Sequence, residues 1–293
     1  KFEDKTKIIP EKFKKRFTAS LIANSKTNQK CEYKARIRQS GNKFDHIQFK
    51  KGNIIQSLDV TLENGSIFGI KKFKLFIPAT RNGASEIITS HLLAKLGYLS
   101  PRTFFLDISL NGKTSKFLFS EKTTKELIEN FDFKEAPLYE GNENLVIGTS
   151  KNKNLIYNKK LTFAKQINTS WIDSLKNREI SINGLTKLNN VYFKNISYFK
   201  KKKHKIDQLT LDYKLLSNNN KDHFEYLAIY DALLNSVNGG HALLPHNRKF
   251  YFDPSSEMFY PIFYDGSPGS VHRSLFGGWS TKIKKLQNNQ FKW

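Results

Sequence analysis

The sequence predicts an α+β fold of two lobes: a strand-rich first lobe holding one helix, and a mainly helical second lobe that carries a hairpin. Three observations lead there. Between residues 33 and 121, short runs of alternating apolar residues are separated by Gly, Asn and Pro and interrupted once by a run with helical spacing. From about residue 122 the periodicity becomes helical. Near the end, two aromatic-rich runs, 248–253 and 259–264, flank Pro254-Ser-Ser-Glu257, as two hairpin strands flank a turn.

Taken in order, residues 1–32 are a polar, basic lead-in, poorly anchored, with one helix-like stretch around Phe13, Phe17 and Leu21. Residues 33–38 alternate, and Gln39-Ser-Gly-Asn42 makes a turn. Residues 54–62 alternate again, with Leu58, Val60 and Leu62 on one face, before a turn at Glu63-Asn-Gly65. The strand 71–77 sets Phe73, Leu75 and Ile77 on one side and Lys72, Lys74 and Phe76 on the other, and Pro78 ends it. A helix follows, with Ser85 as its cap, Ile88, Leu92 and Leu96 as its apolar stripe and Gly97 as its stop. Residues 103–110 form a strand with Phe104, Leu106, Ile108 and Leu110 inward. Asn111-Gly112 is a hairpin turn, and 116–121 returns antiparallel. The boundary between lobes falls near residue 122, giving a first lobe at 33–121 and a second at 122–293.

In the second lobe, 122–131, 161–175 and 208–216 read as helices, while the Asn- and Lys-rich stretch from about 140 to 205 carries little pattern. Residues 223–237 are a clear helix with Phe224, Leu227, Tyr230 and Leu234 at helical spacing, stopped by Asn238-Gly-Gly240. The hairpin turn is centred near residue 256. Folding the ribbon about that centre sets Asn247 opposite Asp265, and directly opposed residues have Cβ atoms roughly 5 Å apart. A carboxamide beside a carboxylate offers two hard oxygen donors to a cation such as Mg²⁺.

Bulk properties narrow the classes. A chain of 293 residues with 38% hydrophobic and 13% aromatic residues can bury a core and does not have a disordered composition. No run of about 18 apolar residues occurs, so no transmembrane segment is expected. The chain opens on Lys1 and not Met, the expectation being that an upstream segment, with any targeting signal, has been removed. Cys31 is the single cysteine, which excludes an internal disulfide and a cysteine-rich zinc site. The net charge of +23 invites a nucleic-acid partner. Yet the lysines are scattered and interleaved with Asn, apart from Lys200-Lys-Lys-Lys-His-Lys205, so a solvated basic surface is the preferred reading. Attraction to anionic polymers or membrane headgroups stays open.

This order of parts is that of protein-kinase-like phosphotransferases, in which a strand Lys pairs with a helix Glu and a catalytic-loop Asn and a metal-binding Asp flank a hairpin. Lys72 or Lys74 supplies the lysine, Lys74 lying closer to the helix, and Glu86 the acid. Arg81 stands where it would touch phosphate or cap a loop. Glu121 stands where a hinge meets adenine, its backbone more than its side chain doing the binding. A kinase loop has an Asp five residues before the Asn, and here that residue is Ala242. His241 and His246 are the nearby groups able to handle a proton, and His241 is the candidate catalytic residue. No glycine-rich loop of the usual spacing occurs, so Ser40-Gly41-Asn42 would cover the phosphates.

Ala35-Arg-Ile-Arg-Gln-Ser-Gly41, Lys72-Phe-Lys-Leu75, Glu86, Leu96-Gly97 before Ser100-Pro-Arg102, Asp107-Ile-Ser-Leu-Asn-Gly112, Ser120-Glu-Lys122 and Asn247 through Asp265 together resemble the spore-coat protein H (CotH) kinase family, over roughly residues 33–147 and 223–268. The resemblance implies an atypical, protein-kinase-like fold, ATP with Mg²⁺ or Mn²⁺, transfer of phosphate to a protein or surface-polymer acceptor, and an extracytoplasmic or cell-surface location. It carries the phosphate-facing lysine onto Lys72 or Lys74, the helix acid onto Glu86 and the metal ligands onto Asn247 and Asp265. Two alternatives stand beside it: an inactive pseudokinase-like scaffold, and a basic module binding nucleic acid or an anionic polymer.

Overall fold

The computed structural model of the chain describes residues 8–24, 30–50, 53–142, 163–201 and 211–269. They divide into two units, Lys1–His91 with Pro101–Phe133, and Leu92–Ser100 with Lys134–Trp293. The class is α+β, and both principal sheets are antiparallel.

The first unit is built on six strands: β1 (Phe17–Asn24), β2 (Lys30–Gln39), β5 (Leu58–Leu62), β6 (Lys72–Phe76), β7 (Thr103–Leu110) and β8 (Lys113–Glu121), in the order β1-β2-β5-β6-β8-β7. Between β2 and β5 a separate ribbon, β3 (Ile47–Lys50) with β4 (Asn53–Gln56), pairs Phe49 with Ile54. One sheet face is apolar: Ile37, Val60, Phe73, Leu75, Phe117 and Phe119 are buried together. Phe119 lies between the rings of Phe73 and Phe104, with centroids at 4.7 and 4.5 Å. The opposite face carries a single cross-strand row, Arg38, Asp59, Lys74, Ser120 and Thr103, each registered against the next. The Asn111-Gly112 turn closes the β7–β8 hairpin with φ of 50° and 78°, the left-handed conformations that a tight two-residue hairpin turn demands.

Several expectations need correction here. The lead-in is anchored: it forms β1, paired along its whole length with β2. Residues 13, 17 and 21, spaced by four, fit one face of a strand as well as a helix stripe. Tertiary pairing decides, with Ala19 and Leu21 packed against the core. The single strand expected at 54–62 is two, β4 and β5, parted by Ser57. That residue is buried, its Oγ accepting from Ile77 N (3.1 Å) and lying 3.0 Å from His46 Nδ1. Helix α1 (Ala84–Lys95) buries Glu86, Thr89, Ser90 and Leu93, whereas its predicted core stripe, Ile88, Leu92 and Leu96, is 56%, 40% and 49% exposed. Two residues are about 200° of helix, so choosing the stripe at 88 and not 86 selects the opposite face. On β7, Phe104 and Ile108 pack inward as expected, but Leu106 and Leu110 at this sheet edge are exposed. A short helix, α2 (Lys125–Glu129), ends the unit.

The second unit holds a four-stranded sheet in the order β10 (Ala164–Gln166), β9 (Leu138–Gly141), β11 (Lys249–Asp253), β12 (Met258–Ile262). Its helices are α3 (Leu175–Lys201), α4 (Tyr213–Leu216) and α5 (Lys221–Ser236). The helix expected at 161–175 is instead β10 and a 3-10 turn, Thr169–Asp173, in its described part, residues 161–162 lying outside the description. The long helix begins where that expectation stopped. Its buried stripe, Ser181, Gly184, Leu188, Val191 and Tyr192, contains a glycine because a Cβ there would come 2.6 Å from Tyr139 Oη and 2.8 Å from Phe252 Cδ1. The expected helix at 208–216 is described only from residue 211 and reduces to α4, capped by Asp212 Oδ1 accepting from Leu215 N. Helix α5 starts at Asn220, whose side chain accepts from His223 N, and buries Leu227, Tyr230 and Leu234 as its spacing predicts. No helix among the described residues is long and apolar enough to cross a membrane.

Candidate functional site

The hairpin of β11 and β12 turns at residues 254–257. Asp253 organises that turn, its Oδ1 accepting from Ser255 N (2.9 Å) and its Oδ2 from Ser256 Oγ (2.6 Å). Pairing runs from Asp253 with Met258 to Lys249 with Ile262. The centre is thus between residues 255 and 256, half a residue earlier than expected. Continued one for one, that register would set Asn247 against Tyr264, and the ladder stops before either. Asn247 and Asp265 come together by another route, through His241.

His241 sits in a 3-10 turn, Gly240–Leu243, that directs Ala242 and Leu243 into an apolar cluster with Leu93, Tyr98, Leu234 and Phe263. Its Nδ1 lies 2.8 Å from Asp265 O, 3.5 Å from Asp265 Oδ1 and 3.0 Å from Asn247 Nδ2, while Asn247 Nδ2 donates to His241 O at 3.0 Å. One ring nitrogen cannot accept from an amide and donate to a carbonyl together. With Nδ1 protonated, the bond to Asp265 O forms and the amide nitrogen keeps His241 O. Either way the amide nitrogen faces His241, which leaves the Asn247 carbonyl oxygen for another partner. Asp265 adopts φ 53°, a left-handed conformation that Asp tolerates better than most residues.

A buried clamp beneath Asn247 holds the loop. Arg248 binds Asp231 of α5 bidentately, Nη1 to Oδ1 at 3.1 Å and Nη2 to Oδ2 at 2.6 Å, and its Nε donates to Leu243 O at 3.1 Å. Tyr213 donates to the same carboxylate. Burial opposes the Arg248 charge, but Asp231 and the neighbouring tyrosines outweigh it, so its proton is held more tightly than in a free arginine. The next residue, Lys249, donates through Nζ to Glu140 Oε2 at 2.8 Å and lies 4.0 Å from the centroid of the Tyr264 ring, beside Asp265. Burial opposes the Glu140 charge too, and Lys249 with Lys165 outweighs it, lowering its pKa to about 2.

The remaining predicted residues lie in the first unit. Lys74 is half-buried directly opposite Asp59, whereas Lys72 is exposed opposite Thr61, which separates the two lysines. Asp59 is buried and also accepts from Lys122 Nζ at 3.0 and 3.2 Å. Arg81 is buried, its guanidinium 4.4 Å from the centroid of the Phe76 ring. Glu86 is buried in the first turn of α1. Glu121 is committed within the unit: its carboxylate takes Arg102 Nε at 2.8 Å and Nη2 at 2.6 Å, and its N–H donates to Arg102 O at 3.1 Å. An adenine-reading role for that side chain or that amide would have to displace Arg102. Sequence reasoning missed Asp59 and His46. The first was findable as the acid standing opposite Lys74 once the strands were paired; the second carries no local signal.

Two oxygen donors suit Mg²⁺, which keeps several waters and is completed by substrate phosphates. Among the described residues no group of three or more His, Cys, Asp and Glu side chains is placed to hold a metal, so the donor set does not suit a transition ion held by protein alone. In comparisons with known proteins, no family model and no curated sequence matches this chain.

Proposed function

We propose that the protein is a CotH-like, atypical kinase-like enzyme of bilobal organisation that binds ATP with Mg²⁺ or Mn²⁺ and transfers phosphate to a protein or surface-polymer acceptor. The observation that carries this reading is the meeting of Asn247 and Asp265 on His241, which joins two oxygen donors to the candidate catalytic histidine. Asn247 Oδ1 and the Asp265 carboxylate would hold the cation, which when bound supplies charge neutralisation at the phosphates. Within the first unit, Lys74 and Arg81 carry the charge that suits phosphate, with Glu86 as the acid of the same helix–strand pair. His241, its Nδ1 lying 2.8 Å from Asp265 O, would take the proton of the acceptor hydroxyl as its oxygen bonds to the γ-phosphorus and the bond to ADP breaks.

A second reading has its own support. Ala242, at the position of the kinase Asp, is buried among apolar side chains, which favours a pseudokinase-like scaffold that binds nucleotide without transfer.

Thermal unfolding with and without Mg-ATP, followed by transfer of labelled γ-phosphate, separates the two. Ligand at a hundredfold its Kd stabilises a folded protein by about 2.7 kcal/mol, so Mg-ATP should raise the Tm, and Asp265→Ala should remove the rise. His241→Gln should keep the rise and lose the transfer. A rise without transfer, including onto the protein itself, makes it the scaffold, and no rise with any nucleotide and metal overturns both.

A further inference from the structure

Between β2 and β5 the chain puts out the β3–β4 ribbon, a two-stranded sheet apart from the six strands, and no residue assigned to nucleotide or metal lies on it. Its base is pinned to the first unit. Ser57 N donates to His46 O at 3.0 Å, Ser40 N donates to Ser57 O at 2.7 Å, and Ile55 packs against the apolar cluster of the main sheet. Pairing then runs outward from Ile47 with Gln56 to Lys50 with Asn53.

Phe49 and Ile54 stand directly opposite each other, one pair short of the turn, and are 57% and 60% exposed. Opposed residues share a sheet face, so the two side chains make one apolar patch near the end of the ribbon. Ile55, the next residue, is on the other face, toward the core. Two side chains are too few to hold a protein partner, since a stable interface takes about 20–30 residues a side. They suffice for shallow insertion at the headgroup–acyl boundary of a bilayer. Charge selects the lipid. Asp45 is the one acid between Gln39 and Leu58 in the sequence, against Lys43, Lys50 and Lys51, and the whole chain carries +23. Weak apolar insertion combined with basic charge is the pair of signals that holds a peripheral protein on an anionic leaflet.

We propose that the β3–β4 ribbon is a docking hairpin for an anionic lipid surface, with Phe49 and Ile54 seated at the acyl boundary and lysine charge meeting the headgroups. The charge brings the chain to the surface and is screened by salt, whereas the apolar pair holds it there. The contact needs neither nucleotide nor metal.

Sedimentation with sucrose-loaded vesicles tests this on the full chain, using phosphatidylcholine alone and equal parts of phosphatidylcholine and phosphatidylserine. The wild type should sediment with the mixed vesicles and not with phosphatidylcholine. The double variant Phe49→Ser, Ile54→Ser should bind the mixed vesicles about tenfold or more weakly. Ile229→Ser in α5 removes a comparable side chain, 52% exposed, from the second unit and should match the wild type. Equal binding by the double variant, equal weakening in Ile229→Ser, or equal binding to phosphatidylcholine alone overturns the assignment. So does a wild type that binds heparin but neither kind of vesicle, or that binds nothing. Hydrogen exchange on the wild type guards against a misfolded variant. The amides of residues 47–56 should gain protection on the mixed vesicles, and unchanged exchange there overturns the hairpin as the point of contact.

Discussion

Ala242 shows how one residue separates the shape of a loop from its chemistry. It stands five positions before Asn247, where a kinase loop carries its Asp, yet the 3-10 turn directs it into the cluster of Leu93, Tyr98, Leu234 and Phe263 while His241 faces Asn247 and Asp265. Restoring the expected acid should therefore damage the protein. Ala242→Asp buries an unpaired carboxylate, and urea unfolding should show a loss of about 3 kcal/mol or more, with no gain in phosphate transfer. A stable Ala242→Asp variant would contradict the burial of that side chain in the apolar cluster. At this scale, legibility followed residue type more than position. Asn247, Asp265 and His241 could be singled out by residue type, and Asn247 was expected beside Asp265, but the route by which they meet was not legible, because it runs through His241 and depends on a four-residue turn and a short 3-10 helix and not on hairpin register. Lys72 and Lys74 share one strand face, so only the pairing of Lys74 with Asp59 tells them apart.

Among the elements, those that pack by strict alternation were readable: β5, β6 and the β7–β8 hairpin lie where Leu58, Phe73 and Asn111-Gly112 put them. Helix α1 was readable in extent but not in orientation. It packs through Glu86, Thr89 and Ser90, with Ser90 Oγ donating to Pro101 O and lying 3.3 Å from Thr103 Oγ1, and short polar residues leave no trace in a hydrophobic period. Neighbouring leucines test this. Leu92→Lys should change stability by no more than about 0.5 kcal/mol, whereas Leu93→Ala should cost about 2–5 kcal/mol by denaturant unfolding. Helix α3 went unread for a related reason. Its buried stripe includes Ser181 and Gly184, and the surrounding Asn and Lys residues diluted what Leu188, Val191 and Tyr192 contributed.

For the molecule as a whole, the two units differ in how they meet acid. His46 in the first has its pKa lowered from 6.5 to about 3, so its neutral form stabilises the fold fully above pH 6.5. That contribution is lost as pH falls toward 3, because the unfolded chain takes the proton first. Glu140 in the second has its pKa lowered from 4.5 to about 2 by Lys249 and Lys165, against the cost of burial, so its contribution is complete above 4.5 and is lost only below that. Hydrogen exchange corrected for intrinsic rate should accordingly show protection falling in the first unit between pH 6.5 and 5 while the Glu140 region keeps its own. His46→Gln should flatten the first response and Glu140→Gln should leave it unchanged. Simultaneous loss in both units at pH 6 would contradict the assignment of His46.

The exposed edge of β7 gives the charge of the chain a different meaning. Among the described residues that strand ends the six-stranded sheet, and it presents Phe105, Leu106 and Leu110 beside an unpaired backbone edge. Two copies approaching edge to edge would be poised to extend each other's sheets. Each brings a net charge of +23, and that mutual repulsion acts before any strand contact forms. The scattered lysines thus oppose such an approach, and because added salt shortens the reach of that repulsion, raised ionic strength should favour association of copies.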